Sequence, residues 1–345
     1  MSGSGEPSEG AARFEPFELA MALSHYDVGV IREMRAVRRG SGDAPKALLR
    51  TDRGLLLFKR RGRNRSRPER VAFCHRLQLH LAARGYPLPR LLGTRDENNS
   101  VLRLGDHLYE LFEYVAGDAY AGSERETRAA GRALAILHRL TADFDASDSP
   151  ASLGYHASER VLQRLEAARE RLRDAGPAES LQALYRAASA RVEALGFPGW
   201  PQQVVHGDWH PGNVVFREGE VSAALDYDAA HADARIADVA SGALQFSLHR
   251  GGADLSTWES SPDEGRLRWF LRGYDEVEGC RLSDPEIEAS PWLMIESLIA
   301  EAAGPVADTG RFGPHEGAAF LAMIERKARW LESEHRRVRV WLEPS

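Results

Sequence analysis

Two short polar loops hold the residues of this 345-residue chain best suited to chemistry. The first is His206-Gly207-Asp208-Trp209-His210-Pro211-Gly212-Asn213, set between Val204-Val205 and Val214-Val215-Phe216. The second is Leu225-Asp226-Tyr227-Asp228, which closes the run 221–225. Residues 217–220, with Gly219, read as a tight turn. The order is therefore strand, polar loop, strand, turn, strand, acidic loop, and such a hairpin brings the two loops side by side. Asp208 can accept a proton from a hydroxyl. Asn213, five residues on, offers a neutral amide oxygen, and Asp226 offers a carboxylate from the second loop. These are hard ligands, suited to a magnesium ion that keeps several waters and also holds phosphates.

Protein kinases place an Asp base, an Asn five residues later and a metal-binding Asp after the next hairpin in this same order. The motif His-Gly-Asp-x-His-x-x-Asn, followed by Leu-Asp-Tyr-Asp, resembles the aminoglycoside phosphotransferase and choline kinase-like superfamily of small-molecule kinases. The resemblance spans most of the chain. It implies an α+β, two-lobed protein kinase-like fold, with a small antiparallel β-sheet N-lobe, a larger, mostly helical C-lobe, and ATP at the seam. It further implies that Asp208 is the catalytic base and that Asn213 and Asp226 bind Mg²⁺. His206 and His210 look like the family's loop-framing histidines, and Asp238 looks like its later, helix-opening Asp. The implied activity is ATP-dependent transfer of the γ-phosphoryl group to a hydroxyl of a small molecule. Amino sugars, aminoglycosides, amino alcohols and homoserine-like acceptors all fit that description.

Other readings explain less. A lone Asp or His in a loop is ordinarily a turn or cap residue, but that leaves the joint spacing unexplained. His206, Asp208 and His210 alternate and could ligate zinc or iron in a metal hydrolase. Gly207 and Pro211 argue instead for a bent loop, and hydrolysis leaves Asn213 and Asp226 without a role. A non-catalytic kinase-like binding or scaffold protein is the remaining alternative, which ATP turnover with metal would separate.

A short helix over 17–26 precedes strands at 28–37, 46–51 and 55–59, an antiparallel meander. The turn Arg39-Gly40-Ser41-Gly42-Asp43 can lie over phosphates, because bare backbone N–H groups approach anions closely; Ser41 and Gly42 are its candidate contacts. Lys59 ends the third strand, where kinases place the lysine that pairs with ATP phosphates. Residues 59–70 are strongly basic, with Glu69 the single acid. Such a run reads as a solvated, mobile loop facing ATP phosphates or an anionic substrate.

Pro68 opens a helix over 69–84. Kinases pair the lysine with a helix Glu, but Glu69 in the first turn is the only acid here, leaving His75 or Gln78 as neutral substitutes. Strands at 100–104 and 107–114 follow. The second runs into Glu113-Tyr114-Val115, which the resemblance makes the hinge that reads the adenine edge. The domain division expected is a disordered tail at 1–16, a nucleotide-binding lobe at 17–116 and a catalytic, acceptor-binding lobe at 117–345.

Beyond residue 123 the pattern is helical apart from the central hairpin. Ser123 with Glu126 forms a capping box. Helices are expected to about Leu140 and at 159–174, 178–195, 235–249, 264–276, 284–301 and 316–338, with Gly176-Pro177 separating two of them. His138 reads as a buried, satisfied histidine. Asp233, Arg235 and Glu296 are candidate acceptor contacts. Trp200, Trp209 and Trp292 would either flatten against a ring substrate or fill core.

Net charge is −6, which argues against a nucleic-acid partner. The two cysteines, Cys74 and Cys280, lack metal-like spacing and fit a reducing compartment. No apolar run approaches a membrane span, and the first fifteen residues lack the apolar core of a signal peptide. A cytoplasmic enzyme is expected, with no membrane partner. Composition leaves its oligomeric state open.

Overall fold

Residue alternation along one strand sets up the first half of the molecule. In the order of the chain, helix α1 (Pro16–Leu23) leads to strands β1 (Ile31–Val37), β2 (Lys46–Thr51) and β3 (Gly54–Arg60). Helix α2 (Pro68–Ala83) and strands β4 (Leu91–Leu92), β5 (Leu102–Leu104) and β6 (His107–Glu113) follow. The strands form one antiparallel sheet, β1-β2-β3-β6-β4, with β5 paired to β6. Successive strand residues face opposite sides. Leu56 and Phe58 point to α1 and join Leu19, Leu23, Tyr26, Tyr109 and Leu111 in a buried cluster. The opposite register at β3 carries Lys59.

This computed structural model describes residues 13–37, 44–62, 67–150, 154–249 and 251–343. The chain divides into two compact units, residues 1–117 with 222–228, and 118–221 with 229–345. The acidic loop thus clusters with the sheet-bearing unit rather than with the helices flanking it in sequence. Ala224 N–H donates to Pro87 O at 2.9 Å, and Cys74 Sγ lies 3.3 Å from Tyr227 O. Of the expected N-terminal tail, residues 1–12 lie outside the described residues, whereas Phe14 packs on Phe58 with ring centroids 5.3 Å apart.

The second unit is mainly helical: α3 (Glu124–Thr141), α4 (Glu159–Arg171), α5 (Gly176–Ala194), α6 (Arg235–Ser247), α7 (Glu264–Asp275), α8 (Asp284–Thr309), α9 (Gly317–Ser333) and α10 (His335–Leu342). Short strands β7 (Gln203–Val205) and β10 (His231–Asp233) pair antiparallel and β8 (Val214–Arg217) lies between them in sequence, whereas β9 (Glu220–Ala224) runs from this unit's residues into the first unit's. The Ser123–Glu126 capping box opens α3 as expected. Among the described residues, no helix is long and apolar enough to cross a membrane.

Three expected helix boundaries change. Gly176-Pro177 forms the first turn of α5, where a proline's missing N–H costs nothing. Helix α8 does not stop at 301 but continues to Thr309 with Pro291 and Pro305 inside it, and ends at Gly310 in the left-handed region, φ +73°. The expected helix 316–338 breaks at Glu334, φ −103° and ψ 12°, into α9 and α10.

Helices α3 and α7 approach through facing glycines. A Cβ on Gly131 would fall 1.9 Å from Phe270 O, and one on Gly273 would fall 2.0 Å from Arg128 O. Backbone cannot yield as a side-chain tip can. Gly131→Ala and Gly273→Ala are therefore each expected to destabilise the protein by about 1–3 kcal/mol, the overpacking range. Urea unfolding measures it, and wild-type stability in both variants would show that the crossing is looser than described.

Candidate active site

Lys59 lies in a buried ion network within the first unit. Directly paired residues on antiparallel strands share a face, and Lys59 pairs with Glu110 of β6. Lys59 Nζ is 3.7 Å from Glu110 and 3.5 Å from Asp228. Arg61, 4% exposed, bridges the same two carboxylates with 2.5 Å contacts to each. His75 of α2 completes the group, with Nε2 2.7 Å from Glu110 and Nδ1 2.8 Å from Ser100 Oγ. The lysine's acid therefore comes from a strand, and the helix contributes an imidazole that holds that acid. Glu69 is exposed, and Gln78 bonds back to Cys74 O on its own helix.

Protonation follows from these contacts. Burial alone would raise the Glu110 carboxyl, but Lys59, His75 and Arg61 outweigh it and hold it well below the usual range. Asp228 is likewise held down against burial by Lys59 and Arg61. Burial opposes the Lys59 charge, yet Glu110 and Asp228 raise its pKa above the ordinary lysine value. Two cations and two anions thus face one another at neutral pH.

This corrects the reading of 59–70 as a solvated run. Arg60 points to the other sheet face and meets Glu18 at 2.7 Å. Arg61 is buried because two inward carboxylates match its planar fork. Arg70 Nε donates to the Asp228 carbonyl at 3.0 Å. Arg63 and Arg65 lie outside the described residues, as do Ser41 and Gly42 of the expected phosphate turn. Between the anchored Asp228 and Ala224, Asp226 adopts a left-handed backbone, φ +59°. That conformation is uncommon for a residue with a Cβ and persists only where its surroundings impose it. At the expected hinge, Glu113 N–H donates to Arg90 O and Tyr114 N–H to Leu55 O, both at 2.9 Å. Val115 takes part in neither bond.

The first polar loop is held within the second unit by another buried carboxylate. Asp238, at the start of α6, accepts the backbone N–H groups of His206 (2.7 Å) and Gly207 (2.9 Å). His138 lies 3.2 Å from Asp238 and 2.8 Å from the Tyr274 hydroxyl, the buried and satisfied role expected of it. Gly207 has φ +76°, and a Cβ there would meet Ala229 O at 2.4 Å. Asn213 Nδ2 donates to Asp208 Oδ2 at 2.9 Å and to Asp208 O at 3.0 Å. His210 Nε2 is 3.5 Å from Asp208 Oδ1. Burial raises the Asp208 pKa, but His210, His206 and Asn213 outweigh it and lower it overall. The carboxylate is ionised at neutral pH, with the Asn213 amide nitrogen committed to it and the amide oxygen left for another partner.

The hydrolase alternative finds no support in this geometry. Among the described residues, no group of three His, Cys, Asp or Glu side chains converges to hold a metal ion. His206 is buried, with its ring against Trp209 at 5.2 Å. Trp209, 1% exposed, and Trp292 belong to the core, and Trp200 tilts against Phe197 at 5.3 Å.

A cavity of about 160 Å³ within the second unit includes Asp208. Of the three expected acceptor contacts, only Asp233 lines it. Arg235 is bound to Glu286 at 2.8 Å, and buried Glu296 is consumed by His156 (2.9 Å), Ala157 N–H (3.0 Å) and Ser189 (2.8 Å). Sequence reasoning missed Arg61, Glu110 and Asp228. Its available signal was an isolated Glu inside the apolar strand Leu108-Tyr109-Glu110-Leu111-Phe112, one residue type that is almost never buried unpaired.

The phosphotransferase enzyme family matches residues 34–280. A homoserine kinase from Beijerinckia indica subsp. indica is 28% identical over 284 residues, 80% of each chain. A microcompartment-associated aminopropanol kinase superposes with a TM-score of 0.71 and 14% identity, over 95% of this chain and all of that one. An amicoumacin kinase, solved with AMP-PNP, Ca²⁺ and Ami, superposes with a TM-score of 0.69 and 13% identity, over 93% and 94% of the two chains.

Removing Arg61 tests the network. Glu110 and Asp228 have depressed pKa values when folded, so the stability they add is present above the ordinary carboxylate value and lost as pH falls below it. Arg61→Met is expected to cost about 3–5 kcal/mol at pH 7, the range for breaking a buried pair. Its stability should also change less between pH 7 and pH 3.5, because its folded carboxyls already take up protons. Urea unfolding at both pH values measures this. A variant that keeps the wild-type pH slope would show that Arg61 does not hold these acids.

Proposed function

This chain belongs to the phosphotransferase enzyme family and is a small-molecule kinase of protein kinase-like fold, and we propose that it transfers the γ-phosphoryl group of ATP to the hydroxyl of a small amino acid or amino alcohol. Homoserine is the leading acceptor, because the curated relative is a homoserine kinase. The observation that carries the reading is the Asp208–Asn213 pair, with the Asn213 amide donating to the Asp208 carboxylate at 2.9 Å.

Each residue has a role its environment supports. Asp208, ionised, orients the acceptor hydroxyl and takes its proton as the oxygen becomes a nucleophile. Little base strength is asked of it, because positioning and electrostatics supply most of the rate of phosphoryl transfer. Lys59, kept cationic by Glu110 and Asp228, binds the ATP phosphates. The amide oxygen of Asn213 and the carboxylate of Asp226 are hard donors that fit a magnesium ion. When bound, that ion neutralises charge on the phosphates. Ser41 and Gly42 are proposed as further phosphate contacts. Glu113, Tyr114 and Val115 are proposed to flank the adenine, with Val115 the residue whose amide is not engaged by a neighbouring strand.

Asp208→Asn is expected to retain ATP affinity while kcat falls by about 10²–10⁴-fold, the range for a general base. Near-normal turnover would remove Asp208 from the role. ATP titration should weaken sharply in EDTA, and equal affinity with and without Mg²⁺ would sink the assignment of Asn213 and Asp226. Lys59→Ala and Glu110→Gln should both raise KM for ATP, whereas Glu69→Gln should leave it unchanged. The reverse ranking would restore a helix acid as the lysine's partner.

A further inference from the structure

The cavity beside Asp208 is small and strongly charged. Its volume, about 160 Å³, is well below the roughly 300–1,000 Å³ of sites for drug-sized ligands. It suits a molecule of a few carbons rather than a ringed antibiotic. Helix α4 contributes Arg160 and Arg164, β10 contributes His231 and Asp233, and α8 contributes Glu301.

Four acids share this wall: Asp208 holds the Asn213 amide and Asp238 the His206 and Gly207 N–H groups, and the other two are engaged as well. Asp233 lies 3.3 Å from His231 Nε2 and accepts the Ala234 N–H at 2.7 Å. Glu301 accepts the Gln245 amide. The arginines differ. Neither Arg160 nor Arg164 forms an ion pair or hydrogen bond with the described residues. Four residues apart on α4, they share one face and repel. Burial and the Arg164 charge push the Arg160 pKa below the ordinary arginine value, against the opposing pull of Asp308. Arg164 is also seated by its surroundings: its guanidinium lies over Gly304 of α8, where a Cβ would fall 2.6 Å from Nη1. The cavity wall thus carries two guanidiniums without a hydrogen-bond or ion-pair partner among the described residues, Arg164 half-buried and Arg160 exposed at the rim, and planar guanidinium is the side chain best matched to a carboxylate.

We propose that Arg164, with Arg160 beside it, anchors the α-carboxylate of the acceptor, so that this kinase selects hydroxylated amino acids over the corresponding amino alcohols. The proposal rests on the reading of Asp208 as the residue that orients the acceptor hydroxyl.

The test compares matched pairs that differ only by the carboxylate: L-homoserine with 3-aminopropan-1-ol, L-threonine with 1-aminopropan-2-ol, and L-serine with ethanolamine. Wild type should favour the amino acid of its best pair by about 10- to 100-fold in kcat/KM, the scale of hydrogen bonds to a charged group. Arg164→Gln should raise KM for that amino acid by a similar factor and leave KM for ATP and turnover of the amino alcohol unchanged. Arg164→Lys should recover part of the loss, and Arg160→Gln should show a smaller effect in the same direction. A merely structural role would move the ATP and amino alcohol constants as well. Transfer to amino alcohols alone, equal use of both members of each pair, or an Arg164→Gln loss shared by both overturns the carboxylate anchor and leaves the kinase reading intact. No transfer to any hydroxyl in the panel, with ATP and Mg²⁺ bound, overturns both.

Discussion

A guanidinium closed between two buried carboxylates is the constraint on which the sheet-bearing unit of this protein depends. Charges withdrawn from water are costly unless their partners are close and well oriented. Arg61 meets Glu110 and Asp228 together, and Lys59 lies within 3.7 Å of both acids. The network ties a sheet strand, its neighbour and the acidic loop into one arrangement. Asp226 sits two residues from one of those anchors, in a backbone conformation that needs outside support. The geometry of a candidate metal ligand thereby rests on an ion pair that includes neither metal nor nucleotide.

The loop carrying Asp208 is held by the same means with different donors. Asp238 gathers two successive backbone N–H groups and a histidine, all within one unit. A carboxylate bound to backbone amides fixes the path of a loop without constraining the side chains it presents. Asn213 then fixes the rotamer of Asp208 directly. In both units a buried acid does the holding and a more accessible acid, Asp226 or Asp208, stands beside it in sequence or space. Such preorganisation is where phosphoryl transfer gains most of its rate, since the protein has little covalent work to do.

The cavity beside Asp208 draws the rest of its wall from other elements. Helices α4, α6 and α8 and strand β10, which contribute to that wall, do not carry the candidate metal or phosphate residues. One fold can then serve many acceptors by changing wall residues while keeping both loops. Seating an arginine over a glycine on the facing helix is a local change of that kind.

The sequence by itself determined the fold class, the antiparallel sheet followed by helices, and the joint placement of Asp208, Asn213 and Asp226 along the chain. These are local matters: alternation, capping and spacing within a few residues. It also determined that His138 would be buried and satisfied, because an apolar helix face surrounds it. It did not reveal that Arg61 is buried, that Glu110 is the acid of Lys59, or that Arg235 and Glu296 are spent on internal pairs. Arg61 meets partners 49 and 167 residues away, and Glu296 meets one 140 residues away. A charged side chain reads as solvated until its partner is known. Whether the desolvation cost is offset depends on distances that the tertiary fold alone decides.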